Sequence, residues 1–168
     1  MEVTNSTFDE LAVGDGIEVS RLVTARDVEL FAVVSGDHNP LHLDPEYAAT
    51  TQFGECIGHG MLIGAFVSAV IGLEFPGPGT VYLGQNLEFR SPIFLGDTLT
   101  IALTVDSKHP KKPWVTLSLL VKNQEGKEVC RGESRVIAPT QKQTVKVIPP
   151  PAVELLDHDS PRLAAPAN

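Results

Sequence analysis

An acid and an imidazole stand five residues apart in the run FAVVSGDHNPLHLDP, residues 31–45: they are Asp37 and His42, with Asn39 between them. A carboxyl and an imidazole flanking one water can take a proton from that water and deliver another to a nearby carbon. This is general acid–base chemistry that needs neither metal nor organic cofactor. Gly36, Asn39 and Pro40 predict a tight, extended, non-helical turn, because proline pushes the residue before it out of the α region. The apolar residues Phe31, Val33, Val34, Leu41 and Leu43 bound this loop and predict that it is at least half buried. Burial moves carboxyl and imidazole pKa values toward neutrality, where such catalysis works best. Taken singly, Asp37 also fits an Asx turn or helix cap, and His42 a hydrogen-bonded core histidine. Taken with Asn39, the two prolines and Gly60 downstream, they fit a site better than a set of unrelated structural roles.

The elements that must position this loop are legible on both sides of it. Thr24, with Asp27 three residues on and apolar positions at Val28, Phe31 and Ala32, predicts a capped amphipathic helix to about Val34. Asp44, Pro45 and Glu46 repeat the start signal, so Asp44 reads as a cap and not as a catalyst. Residues 59–73, HGMLIGAFVSAVIGL, are apolar on every face and predict a helix enclosed by other elements. They fall short of the roughly 20 residues that cross a bilayer, so no membrane span is expected. Gly64, Ser68 and Gly72 recur every four residues as a small-residue stripe that a neighbouring backbone could approach.

Period-two patterns predict strands at residues 16–23, 80–89, 97–106, 114–123 and 128–137, with Gln124, Glu125, Gly126 and Lys127 as a hairpin turn. The sum is an α+β fold, an antiparallel sheet wrapped around a central apolar helix. Beyond Pro139 the composition turns to Lys, Gln, Pro and Ala, with PPP at 149–151. One domain over residues 1–139 and a Pro/Ala-rich tail of little structure over 140–168 are therefore expected.

Composition bounds the function without naming it. The 168 residues, 42% of them hydrophobic, suffice for one well-buried core. A formal charge of -8 argues against a nucleic-acid partner, which needs a basic face. Cys56 and Cys130 stand far apart with no metal-ligand spacing, which suits reduced thiols. The N-terminal MEVTNSTFDE is acidic without an apolar run, so a cytoplasmic location is expected in place of secretion.

The run SGDHNPLHLDP, followed by IGHGM at 57–61, closely resembles the (R)-specific enoyl-CoA hydratases of the MaoC-like group, over about residues 8–139. The resemblance implies a hot-dog fold with no cofactor and no metal. It also implies syn addition of water to trans-2-enoyl-CoA, giving (R)-3-hydroxyacyl-CoA. Residue by residue, it places the acid–base roles on Asp37 and His42, orientation of the pair on Asn39, and the enolate-oxygen donor on the Gly60 backbone N–H. Which of the pair activates water stays open; a desolvated carboxyl is the more easily kept protonated, which favours His42 as base and Asp37 as proton donor. Ser68 matches a serine in the active sites of bacterial short-chain members, and equally fits a bond back to the Gly64 carbonyl.

Around that centre, His59 is expected to order the turn beside the substrate. Arg90, Lys108, Lys111 and Lys112 are the clustered cations available to the CoA phosphates, although hairpin lysines also fit solvated surface. Glu55 and Cys56 depart from the basic and small residues of many relatives, which bears on acyl-chain or CoA contacts. Two other readings share the fold: a dehydratase acting on an acyl carrier protein, and a non-catalytic acyl-CoA-binding module. A thioesterase fits less well, since residues 59–73 carry no carboxylate. The resemblance also implies a homodimer joined edge to edge, and the strand at 80–89 is the expected edge, because an open edge is normally paired or covered.

Overall fold

Thr24 converts strand into helix at the first crossing of the fold. In the computed structural model its hydroxyl accepts from the Asp27 amide at 3.1 Å, and the Asp27 carboxylate accepts from the Thr24 amide at 3.0 Å. This reciprocal box starts α1, Ala25–Ser35, and Gly36 ends it in the left-handed region at φ 76° with its N–H on the Ala32 carbonyl. The structure describes residues 1–155.

The next segment departs from the expected extended turn. Pro40–Leu43 forms a helical turn, α2, and Pro45–Ala49 forms α3 directly after it. Asn39 does hold the extended backbone that a following proline demands, with φ -55° and ψ 125°. Proline itself, however, suits the first helical position, where its missing N–H is not required. Asn39 therefore becomes an N-cap, its side chain accepting from the Leu41 amide at 3.0 Å. Asp44 caps α3 as read, accepting from the Glu46 and Tyr47 amides, each at 3.0 Å.

The main sheet contains β2 (Gly16–Leu22), β3 (Val81–Phe89), β4 (Thr98–Lys108), β5 (Trp114–Lys122) and β6 (Glu128–Ile137). Its order is β2-β4-β5-β6-β3 with every pairing antiparallel. Leu99, Ile101, Leu103 and Val105 of β4, and Val115, Leu117, Leu119 and Val121 of β5, are buried, while the residues between them are partly exposed. That alternation turns one face of the sheet toward α4, Gly60–Leu73, whose Leu62, Ile63, Phe66, Val67, Val70 and Ile71 join the same cluster. The fold is the hot-dog fold.

Two expectations need correction. α4 is not enclosed on every side: Met61, Ala65, Ser68, Ala69, Gly72 and Leu73 remain exposed along the face turned from the core. Its apolar character all round exceeds what one sheet can cover. The segment after Pro139 is also not wholly tail. Thr144–Lys146, β7, pairs antiparallel with β1, Glu2–Thr4. Asn5 locks this pair from a buried position, its amide nitrogen donating to the Pro78 and Gln141 carbonyls and its oxygen accepting from the Gln143 amide. Residues 156–168 of the expected tail lie outside the described residues.

The edge expectation agrees with the topology. Among the described residues β3 is an outer strand, paired only with β6, and its register shifts between Tyr82 and Gly84. Of the small-residue stripe of α4, Gly64 faces this strand, whereas Ser68 and Gly72 are exposed; Gly60, at the start of the helix, faces β3 as well. A Cβ built at Gly60 would stand 3.3 Å from Phe89 ring atoms, and one at Gly64 would stand 3.2 Å from Leu87 Cδ1.

Candidate active site

His42 is aimed by α2 into the protein and anchored there. Its Nδ1 lies 2.7 Å from the Ile57 carbonyl oxygen. A carbonyl only accepts, so Nδ1 carries the hydrogen and the neutral ring keeps its lone pair on Nε2. That Nε2 faces Asp37 Oδ2 across 4.0 Å. The other carboxylate oxygen, Oδ1, accepts from the Asn39 amide at 3.2 Å in an Asx-type turn. One Asp37 oxygen thus holds the turn while the other is turned to the imidazole. Asn39 acts on His42 indirectly, by capping the helical turn that carries it.

The loop is less buried than its apolar neighbours suggested. The Asp37 side chain is 52% exposed against 10% for His42. Leu41 and Leu43 tuck α2 inward, whereas Val33 and Val34 stand exposed on α1.

His59 binds the pair together. Its Nε2 donates to the Asp37 backbone carbonyl at 3.1 Å, and its ring stacks on His42 with centroids 3.8 Å apart and planes 29° from parallel. Phe31 of α1 packs on it at 5.0 Å. Burial pushes the His59 imidazole below its ordinary value, and the neighbouring His42 pushes the same way, against the Asp37 contacts. Its Nδ1 is buried and has no hydrogen-bond partner among the described residues. Donor atoms of Asp37, His42 and His59 all lie within 4.8 Å of one another. Stacked imidazoles direct their in-plane lone pairs side by side and not at a common point, so this geometry serves hydrogen bonding better than chelation.

Gly60 opens α4 directly after His59. The His59 side chain makes no capping bond, which leaves the first-turn amides without a side-chain acceptor at the positive end of the helix dipole. That end can receive a developing oxyanion. Ser68, eight residues on, stands about 12 Å further along the axis on the exposed face. Its hydroxyl does not bond the Gly64 carbonyl and has no partner among the described residues. In a single chain it does not join Asp37 and His42.

The four cations do not form one cluster. Arg90 follows Phe89 at the Gly60 end of β3 and pairs with Glu88 and Glu128. The lysines lie where β4 and β5 meet, level with the start of β3, since Val81 aligns with Ile137 and Ile137 with Trp114. Nine residues of strand, about 26 Å, separate the two ends. Lys108 is committed to the Phe8 and Leu11 carbonyls, at 2.6 and 2.5 Å, and Lys112 lies 4.2 Å over the Trp114 ring. Sequence reading did not foresee that His59 would touch both members of the acid–imidazole pair. Its position 22 residues after Asp37 carries no periodic signal for such a contact.

A hot-dog fold whose central helix begins beside a carboxyl and an imidazole 4.0 Å apart defines the class of chain, and that helix start is its candidate site. Residues 12–126 match the MaoC-like domain family, and the chain belongs to it. It is an enzyme of the hydratase–dehydratase type. It is 39% identical over 134 residues to the (R)-specific enoyl-CoA hydratase of Rhodospirillum rubrum, covering 80% of this chain and 92% of that one. It is 42% identical over 129 residues to the enzyme of the same name from Aeromonas caviae, covering 77% and 96%. The unliganded R-hydratase from Pseudomonas aeruginosa superposes with a TM-score of 0.89 at 48% identity, over 92% of this chain and 99% of that one. Among the described residues no helix is long and apolar enough to cross a membrane.

Proposed function

We propose that this protein is an (R)-specific enoyl-CoA hydratase that adds water reversibly to trans-2-enoyl-CoA, with Asp37 and His42 as its acid–base pair. The observation that carries the reading is the bare Nε2 of His42 facing Asp37 Oδ2 across 4.0 Å, a gap wide enough for one water to bridge. The Ile57 bond supports His42 as the base, because it fixes the tautomer that leaves Nε2 free to accept. His42 takes a proton from water as the oxygen attacks the β carbon. Asp37, acting as the acid, gives a proton to the α carbon, and the proton on His42 then returns to the carboxylate. The Gly60 amide donates to the enolate oxygen that forms between these steps. Dehydration runs the same path backward.

The reading includes a cytoplasmic homodimer, with acyl-CoA as the small-molecule partner. Among the described residues β3 offers an unpaired edge, and Val81, Leu83 and Phe89 on it are exposed together with Met61 and Leu73 of α4. Two β3 edges paired antiparallel would set the lysine end of one subunit beside the Arg90 end of the other. The role of Ser68 belongs to the same assembly, since its hydroxyl lies on the face a partner would cover. Incubation with crotonyl-CoA and then octenoyl-CoA tests the activity: enoyl absorbance is expected to fall, and absence of any loss with both substrates would refute the reading.

A further inference from the structure

We infer that His59 is a positioning residue for this reaction, one ring that ties the Asp37 backbone and lies flat on His42 so that the carboxyl and imidazole keep their separation. The inference rests on the hydratase reading of Asp37 and His42. An N-cap residue ordinarily accepts a hydrogen bond from the first turn of its own helix. His59 occupies the N-cap of α4 and makes no such bond. Its side chain is directed away from its own helix, toward residues 37 and 42. The N–H goes to the Asp37 carbonyl at 3.1 Å, and the ring face goes to His42 at 3.8 Å. These contacts fix both halves of the pair from one side chain, and they leave the first-turn amides open for the thioester oxygen.

The protonation state follows from the surroundings. With the hydrogen on Nε2, Nδ1 is a bare acceptor, buried and without a partner among the described residues. A second proton would place an N–H and a charge where none of them offers an acceptor. The titratable groups that face the ring are Asp37, from the loop before α2, and His42, on α2. α1 presents Phe31, and β3 presents Phe89 beside the adjoining Gly60. His59 therefore stays neutral, and its ring covers one face of the His42 imidazole.

Two variants separate the two contacts. His59→Phe keeps a ring against His42 and removes the donor to Asp37; His59→Gln keeps a donor and removes the ring. With crotonyl-CoA, each is expected to lower kcat about tenfold, with KM within about threefold and thermal melting near that of the parent. In His59→Gln alone, the His42 ring resonances should shift in the NMR spectrum at constant pH, because the ring current of the stacked neighbour is removed. Folded variants with the parent's kcat and unmoved His42 resonances would overturn the inference. So would activity lost only in proportion to folded fraction, with those resonances unmoved. The NMR measurement needs no turnover: if Asp37→Asn and His42→Ala both stay active, the hydratase assignment of the pair fails while the coupling of His59 to His42 is still decided.

Discussion

Phe89 lies across Gly60 so closely that a Cβ added at Gly60 would meet three atoms of its ring at 3.3 Å. The contact lies at the first turn of α4, where the proposed oxyanion donor stands. Gly60→Val is therefore expected to depress hydration by roughly two to three orders of magnitude, the size of a lost oxyanion donor. Because the added methyls also press on Phe89, the rate should be measured again with Phe89→Ala, which makes room for them. Restoration of the parent's rate in that double variant would mean that steric crowding, and not the amide, was lost.

His59 gives stability a definite pH dependence. Its folded value lies below the ordinary 6.5, so the unfolded chain binds the proton more readily than the folded one. The stabilisation is complete above 6.5 and is lost as pH falls below it. Urea unfolding at about pH 7.5 and about pH 5.5, on either side of that value, should show a larger drop for the parent than for His59→Phe. Equal drops in the two proteins would remove His59 as the cause.

Asn5 predicts stability without activity. It is buried and holds two carbonyls and one amide of the β1–β7 closure. Asn5→Ala leaves those groups unpaired and should cost about 1–3 kcal/mol by urea unfolding, with kcat unchanged. A loss of activity in a fully folded variant would tie the closure to the site.

The strands, the capped α1 and the acid–imidazole motif were legible because each is written in local terms: period-two apolar residues, the Thr24–Asp27 box, and the short spacing from Asp37 to His42. The α2 turn was not, because Pro40 argues for an extended residue before it and equally for a helix after it. β7 was hidden because a three-residue strand of mostly polar composition has no period. It is held by Asn5, which bonds Gln143 across 138 residues of sequence and is adjacent to it only in space. The His59 contacts were hidden for the same reason. They join residues on three elements that only the packed fold brings together.

The assembly prediction follows from cover. With β3 unpaired on its outer side among the described residues and one face of α4 exposed, light scattering at micromolar concentration is expected to give about twice the 18.1 kDa chain mass. A monomer of full activity would show that the site needs no partner subunit.

The central claim is that Asp37 and His42 move the protons, and the direct measurement is the rate of crotonyl-CoA hydration by Asp37→Asn and His42→Ala beside their melting temperatures. Each variant should melt like the parent and lose at least about a hundredfold in rate, as removal of a general acid or base requires. Retention of more than about a tenth of the rate by both would contradict the account, since neither group would then limit the proton transfers that hydration demands.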